Sequence, residues 1–254
     1  MRLRFLPMFV SAVYLFLYLP IGILVLLSFN KNAHFVWRGF SLKWYRELFE
    51  SVEVWDAFSN SLIVAVSAVC LSLIMGTWLV FYTKNKIKKI NLLFYATLAA
   101  PEIMLAVGLL SLFVYFGVSL GLISLIVGHT LLGLGYVVPM VYVRMQEMDE
   151  AVIEAAMDLG ATQSYTLYSV VLPFLAPTLF GAGLLVFITS FDDFIFAFFC
   201  AGASAQTLPM YIFSVIRTGA TPMINALSTI MLCVSSLLVL LFSLFTLRKT
   251  GLKP

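Results

Sequence analysis

Six long apolar runs dominate this sequence, and each is about as long as a membrane is thick. A helix needs about 20 mostly apolar residues to cross the hydrocarbon core of a bilayer. The runs predict spans at roughly 7–29, 60–82, 91–116, 120–143, 174–200 and 223–247. Hydrophobic residues make up 62% of the chain and charged residues only 11%, which excludes an ordinary soluble domain. We therefore predict an all-α integral membrane protein with six transmembrane helices.

The positions of lysine and arginine predict how these spans are oriented. Both residues are enriched in the short cytoplasmic loops of membrane proteins. With a cytoplasmic N-terminus, the outer side holds Lys31, Arg38, Lys43, Arg46 and Arg217. The inner side then holds the larger set, which is Arg2, Arg4, Lys84, Lys86, Lys88, Lys89, Arg144, Arg248, Lys249 and Lys253. Both termini, and the loop between the fourth and fifth spans, are predicted to face the cytoplasm.

Two outer loops carry features of their own. After the first span, Ser41 can cap a short helix whose apolar side chains are Trp44, Tyr45, Leu48, Phe49, Val52 and Trp55. A helix of this kind lies at the membrane interface, where it serves either as a packing lid or as a ligand contact. Beyond the fifth span, residues 202–222 are rich in Gly, Ser, Thr and Pro. That segment is either re-entrant or a surface loop.

Four ionisable residues lie within the predicted spans: Glu102, His129, Asp192 and Asp193. A charge at membrane depth costs at least ~2.5–3.5 kcal/mol on insertion scales, so each needs a partner, water or a function. No lysine or arginine of this chain falls within a span to neutralise the acids, although another subunit could supply one. We interpret His129 as an interhelical hydrogen-bonding residue.

The three acids are candidates for a substrate pathway. Glu102 follows Pro101, where an irregularity in the third span is expected. Asp192 and Asp193 are adjacent and would point about 100° apart on a helix. One of them is therefore predicted to line the pathway while the other packs against a neighbour.

Several other kinds of chemistry find no support in the sequence. The cysteines Cys70, Cys200 and Cys233 lie in or beside apolar runs without paired spacing, so they indicate neither a disulfide framework nor a metal site. No Gly-x4-Gly-Lys-Ser/Thr pattern occurs, so the chain has no loop of that type for ATP. The net charge of +3 is too small to indicate nucleic-acid binding. We expect neither an enzyme nor a cofactor or metal site in this chain.

The loop between the fourth and fifth spans predicts an amphipathic helix. Glu150, Glu154 and Asp158 recur every fourth residue on one face. Because like charges at this spacing repel, that face is predicted to meet water or a cationic partner. Another face carries the apolar residues Ala151, Val152, Ala155, Ala156 and Leu159.

The end of this helix and the start of the next are also marked in the sequence. Gly160 permits the left-handed turn that ends a helix. Either Thr162 or Ser164 can cap a second short helix. Pro173 is placed to open the fifth span.

The spacing in this loop resembles the EAA loop in the permease subunits of ABC importers. The matching residues are Glu154, Ala155, Ala156, Gly160, Val170, Leu172 and Pro173. In that family the loop is a cytoplasmic helix-turn-helix that docks into an ATPase subunit. The resemblance implies that residues 147–173 form such a coupling segment here.

Further motifs resemble the spermidine/putrescine branch of these permeases along almost the whole chain. They lie, in order, at 28–30, 39–41, 44–45, 101–103, 192–193, 208–209, 222 and 225–227. One departure is Glu102, where the family often has Asp, so the charge is kept but moved outward by one methylene. The resemblance implies a type I ABC importer fold and inward transport of a polyamine by alternating access.

The resemblance also implies an organisation and a set of partners. The chain is expected to be one permease domain, 1–254, with a first span and outer helix at 1–59 and a permease core at 60–247. Its expected partners are a second homologous permease, either distinct or another copy, two ATP-binding subunits, a periplasmic or lipid-anchored binding protein, and the lipid of a bacterial inner membrane.

Three other functions remain open. The first is an ABC importer for another solute. The second is an ion-coupled secondary transporter, which would account for the buried acids but has no need of the EAA spacing. The third is a membrane-embedded enzyme, for which the sequence offers no polar catalytic cluster.

Overall fold

A computed structural model describes residues 5–32, 36–83, 87–219 and 222–250, and most of them are helical. The helices, in chain order, are α1 Phe5–Ser28, α2 Lys43–Glu50, α3 Val52–Tyr82, α4 Ile87–Ala99, α5 Glu102–Tyr115, α6 Leu122–Gln146, α7 Glu150–Asp158, α8 Gln163–Thr166, α9 Leu172–Phe191, α10 Ile195–Cys200, α11 Leu208–Thr218 and α12 Pro222–Thr250. Within these ranges the one β-type pairing is an isolated bridge between Asn30 and Phe40. The predicted all-α class is confirmed.

Four described helices are long and apolar enough to cross a membrane: Pro7–Ser28, Val52–Tyr82, Leu122–Gln146 and Gln163–Phe191. A bent pair, Leu93–Ala99 and Glu102–Tyr115, supplies a fifth span if the two helices are counted together. The predicted sixth span, 223–247, falls partly on residues whose side chains lie outside the described set. Its described part, Pro222–Leu237, is a shorter apolar helix. The total of six spans therefore stays a prediction.

The predicted third span is divided into two helices. α4 ends at Ala99, α5 begins at Glu102, and the chain bends by 114° between them. Pro101 has an extended ψ of 127°. Proline has no amide hydrogen and disfavours helical geometry in the residue before it, so a break at this point has a local cause. The bend places Glu102 in the first turn of α5.

The fifth span also departs from the prediction. We expected Asp192 and Asp193 on one long helix, and this is wrong: α9 ends at Phe191 and α10 begins at Ile195. The Asp193 carboxylate accepts hydrogen bonds from the Ile195 and Ala197 amides. Aspartate offers nearby amides an alternative to helix bonding, which favours a break of this kind.

The outer helix is shorter than predicted, and the second span starts earlier. α2 ends at Glu50, while Val52 and Trp55 belong to α3, so the expected stripe is shared between two helices. α3 begins at Val52 rather than near residue 60. Ser41 is not the N-cap, which is Leu42, although the Ser41 hydroxyl oxygen accepts a hydrogen bond from the Lys43 amide. Similarly, the predicted loop 202–222 contains the helix α11.

The contacts divide the chain into two compact units. The first comprises 1–55 and 212–254, and the second comprises 56–211. In the first unit α12 packs against α1 and α2. The second unit holds all the candidate site residues named above. The proposed division into 1–59 and 60–247 within one permease domain stays a prediction.

α6 occupies the centre of the second unit, where it packs against α4, α9 and α10. Glycine is needed at position 133 for this packing. A Cβ there would lie 2.8 Å from the Ser72 hydroxyl oxygen of α3 and 3.0 Å from a Val186 methyl of α9. The neighbouring side chains Val137, Val138 and Val141 are fully buried. α6 is therefore a fixed element on which the candidate site is built.

Candidate functional site

The second unit contains a cavity of about 590 Å³. It lies where the α4–α5 bend, α6 and the α9–α10 break meet. Glu102, Asp192 and Asp193 all line it, although they are far apart in sequence. The remaining lining residues are Thr97, Leu98, Ala100, Leu105, Leu132, Tyr136, Ile188, Thr189, Phe194 and Ile195. None of these described lining residues is a lysine or arginine, so the charged side chains at this cavity are all acids.

Asp193 is the most buried of the three acids, at 8% exposure. Its Oδ1 accepts a hydrogen bond from the Ile195 amide at 3.2 Å, and its Oδ2 accepts one from the Ala197 amide at 3.1 Å. These are two of the amides at the start of α10, which have no partner within their own helix. The N-cap residue of α10 is Phe194, and the Asp193 side chain caps the helix from the position before it.

Glu102 is exposed and reaches the same place from α5. Its carboxyl group lies close enough to that of Asp193 for the two to interact. Glu102 thus shares an interaction with Asp193 while remaining open to the cavity.

Asp192 ends α9 and is exposed, in contrast to its neighbour. Its amide donates to the Ile188 carbonyl oxygen at 3.1 Å. Its carboxylate has no hydrogen-bond partner among the described residues. The break between α9 and α10, rather than helical geometry, is what directs the two aspartates to different environments.

Some residues that line the cavity are not among the site residues predicted from the sequence. Tyr136, Thr97 and Thr189 line the cavity with polar side chains, but nothing in their spacing distinguishes them from other span residues. We predicted His129 to be an interhelical hydrogen-bonding residue, and the hydrogen bonding is wrong: neither ring nitrogen has a hydrogen-bond partner among the described residues. Its Nε2 lies 3.6 Å from Asp193 Oδ2. The sequence signal for this contact was a single histidine within an apolar span.

The predicted coupling segment contains the expected helix, turn and second helix. α7 is capped by Asp149, whose Oδ1 accepts a hydrogen bond from the Ala151 amide at 3.0 Å. α8 is capped by Thr162, whose hydroxyl oxygen accepts one from the Tyr165 amide at 3.2 Å. Of the two candidate caps for α8, the structure selects Thr162 over Ser164.

Gly160 forms the turn after α7 with a φ of +88°. Its amide donates to the Met157 carbonyl oxygen at 2.9 Å, and the Ala161 amide donates to the Ala156 carbonyl oxygen at 3.1 Å. This pair of bonds is the Schellman motif, in which a residue of left-handed conformation satisfies the last carbonyl groups of a helix. The direction of the chain after α7 therefore depends on a glycine.

Most of the surface of α7 is exposed. Its acidic residues Glu150, Glu154 and Asp158 are exposed, but so are most of the apolar residues predicted to form the other face, which are Ala151, Val152, Ala155 and Leu159. Leu159 is 89% exposed, whereas Ile153 is the one α7 residue that is buried, at 3%. A groove of about 500 Å³ lies beside this face, lined by Ala156, Leu159, Gly160, Ala161, Thr162 and Tyr165. An exposed apolar surface of this kind is typical of an interaction site.

The coupling segment continues into the fifth span without a break. α8 leads through a π-helical turn, Leu167–Val171, directly into α9. The Leu172 amide donates to the Leu167 carbonyl oxygen, five residues earlier. Pro173 lies in the first turn of α9, as predicted, and Leu172 packs against the buried core around α6. Continuous helix therefore connects the α7–α8 turn to α9, so that a movement of the turn would also move α9.

No family model matches the chain, but curated relatives cover nearly all of it. The spermidine/putrescine transport system permease protein PotC of Haemophilus influenzae is 38% identical over 243 residues, which are 94% of this chain and 95% of the relative. The chain belongs to the PotC family of permeases. PotC of Escherichia coli K12 is 34% identical over 247 residues, covering 95% of this chain and 94% of the relative. The putrescine transport system permease protein PotI of the same organism is 34% identical over 229 residues, covering 85% and 82%.

Solved structures show the fold of this PotC-family permease. A chain of a bacterial ABC transporter involved in the import of the acidic polysaccharide alginate superimposes with a TM-score of 0.71 at 18% identity, covering 97% of this chain and 95% of that chain. A chain of the MetNI methionine ABC transporter gives 0.55 at 21% identity, covering 82% and 95%. The family and the apolar helices together make this chain a multi-pass inner-membrane transport permease rather than an enzyme.

Proposed function

We propose that this permease is the transmembrane subunit of an ATP-driven importer that moves polyamines, such as spermidine or putrescine, into the cell by alternating access. The observation that carries the proposal is the cavity at which Glu102, Asp192 and Asp193 meet with no lysine or arginine among the described lining residues. The names of the PotC and PotI relatives support the same class of solute.

The chemistry of the cavity suits a flexible chain with several ammonium groups. Glu102 and Asp192 are exposed to it and approach it from different helices, so two separated positive charges can each find a carboxylate. Tyr136 offers an aromatic face at the same cavity. A cation over such a ring gains ~0.5–2 kcal/mol, depending on how fully it is desolvated.

The transport cycle requires partners. We infer a second homologous permease, two ATP-binding subunits and a substrate-binding protein, with both termini and the coupling segment on the cytoplasmic side. Exposed Leu159 and the groove beside it support a docking role for α7 and α8. ATP shifts the permease between its inward-open and outward-open states only through a difference in affinity for them. A shift from 1:99 to 99:1 needs about 5.5 kcal/mol, which the docked segment transmits.

The test is uptake of labelled spermidine and putrescine by the complex reconstituted in proteoliposomes with its own partner subunits. Glu102→Gln and Asp192→Asn remove one charge each with little change in size. We expect each to reduce uptake at least tenfold while basal ATP hydrolysis persists. Glu102→Asp keeps the charge and is the matched control, so it should retain most of the activity.

The alternatives predict different outcomes in the same assay. Normal polyamine uptake by a complex that carries both Glu102→Gln and Asp192→Asn would exclude these two acids from the pathway. ATP-dependent uptake of a different solute, with no uptake of either polyamine, would indicate an importer of another specificity. Uptake driven by a proton or sodium gradient without ATP would indicate a secondary transporter.

A further inference from the structure

His129 is a buried, polar residue that the proposed transport step does not use directly. It lies on α6 and is 2% exposed. Neither of its ring nitrogens has a hydrogen-bond partner within the described part of the chain. The nearest charged group is the Asp193 carboxylate, with Nε2 and Oδ2 3.6 Å apart. This distance is a close polar contact but is longer than a formed hydrogen bond.

The ring of His129 also makes an aromatic contact. Its centroid lies 6.0 Å from that of Phe196, at an interplanar angle of 52°. Phe196 belongs to α10, the helix that Asp193 caps. His129 therefore touches both the capping carboxylate and the capped helix, and it does so from α6, the central helix of the unit.

The Asp193 carboxylate lies between the start of α10 and the cavity. In the structure, its two oxygens accept hydrogen bonds from the Ile195 and Ala197 amides. The same carboxylate borders the cavity, which Glu102 also lines. A carboxylate that left these amides would have both oxygens free to face the cavity, together with the carboxylates of Glu102 and Asp192.

We propose that His129 is a positioning residue that keeps the Asp193 carboxylate on α10, so that Glu102 and Asp192 are the acids that contact the substrate. This inference rests on the proposed polyamine transport. His129 thereby limits how far the Asp193 charge is available to a substrate in the cavity. This availability matters because spermidine carries three ammonium groups and putrescine carries two, and each charge pair adds its own Coulomb energy.

The proposal is tested with two substitutions at one position and a neighbouring control. His129→Leu fills the buried space without a polar group, while His129→Gln restores an amide nitrogen near the position of Nε2. Thr130→Val is the control, because Thr130 is buried on the same helix and its hydroxyl only donates to the Ile126 carbonyl oxygen at 2.6 Å. All three are measured in the full reconstituted complex.

The first readout is the ratio of the KM values for putrescine and spermidine. We expect His129→Leu to raise this ratio at least fivefold, because a released Asp193 favours the substrate with the additional charge. His129→Gln and Thr130→Val should leave the ratio near that of the unchanged complex. Adding Asp193→Asn to His129→Leu should cancel the effect, since His129 acts through that carboxylate.

The second readout does not depend on the identity of the solute. Hydrogen exchange at the amides of Ile195 and Ala197 should become at least tenfold faster in His129→Leu, and should be unchanged in His129→Gln. Unchanged exchange in His129→Leu overturns the inference. An equal fall in the uptake rate for both substrates, at a constant KM ratio, also overturns it, because that result indicates a purely structural role. If the unchanged complex takes up neither polyamine, the proposed function fails, and the exchange measurement still decides the placement of Asp193.

Discussion

A substitution at Gly160 tests whether its left-handed turn sets the direction of the chain after α7. Gly160 adopts a φ of +88°, and a Cβ built there meets nothing within 4 Å. The cost of Gly160→Val is therefore a backbone cost alone. A left-handed conformation costs an L-residue roughly 1–2 kcal/mol. A cost of this size changes the equilibrium constant between the observed turn and other conformations by about 5–30-fold.

The substitution should misdirect the α7–α8 turn while leaving the membrane-spanning helices inserted. We expect polyamine uptake and substrate-stimulated ATP hydrolysis to fall together, by about 5–30-fold, in the reconstituted complex. Gly160→Asn should be milder, because asparagine tolerates the left-handed conformation better than other non-glycine residues. Gly181→Val is the matched control: its Cβ also meets nothing within 4 Å, but its φ is not positive. Normal coupling in purified Gly160→Val would refute this account of the turn.

Three further predictions concern an exposed residue, a closely packed glycine and the dependence on partners. Leu159→Glu should reduce co-purification of the ATPase subunit without reducing membrane insertion, because Leu159 is 89% exposed on the proposed docking face; undiminished co-purification would remove it from that interface. Gly133→Ala should lower the free energy of unfolding of the detergent-solubilised protein by about 1–3 kcal/mol, because the new Cβ crowds Ser72 and Val186; Gly108→Ala, whose Cβ meets nothing within 4 Å, should leave that free energy unchanged. The permease reconstituted alone should neither hydrolyse ATP nor take up polyamine along an ion gradient, and gradient-driven uptake would contradict its dependence on partners.

The sequence determined those features that have local causes. Long apolar runs require helices in a membrane because no water is present to satisfy the backbone, so the all-α class needed no tertiary information. Pro101 marked the break in the third span because proline removes an amide and restricts its neighbour. Gly160 marked the turn after α7 for an equally local reason. The spacing of the coupling segment was sufficient to suggest the family before any comparison of whole chains.

Some sequence predictions of helix boundaries were wrong because nearby side chains compete for the hydrogen bonds of the helix backbone. Asp192 and Asp193 lie in an apolar run that reads as one helix, yet the Asp193 side chain bonds the Ile195 and Ala197 amides and the helix breaks there. Likewise, Val52 and Trp55 fit the periodicity of the outer helix, but the chain leaves that helix after Glu50. Hydrophobic periodicity does not record such side-chain bonds.

Only the tertiary structure decided which acids meet and how they differ. Glu102 is remote in sequence from Asp192 and Asp193, and the 114° bend after α4 and the break after α9 bring all three to one cavity. Burial separates the two adjacent aspartates, since Asp193 caps α10 and Asp192 remains exposed. The contact of His129 with Asp193 likewise depends on how α6 packs against α10. Composition and spacing reveal that charges lie within a membrane, but their partners are set by packing between helices distant in sequence.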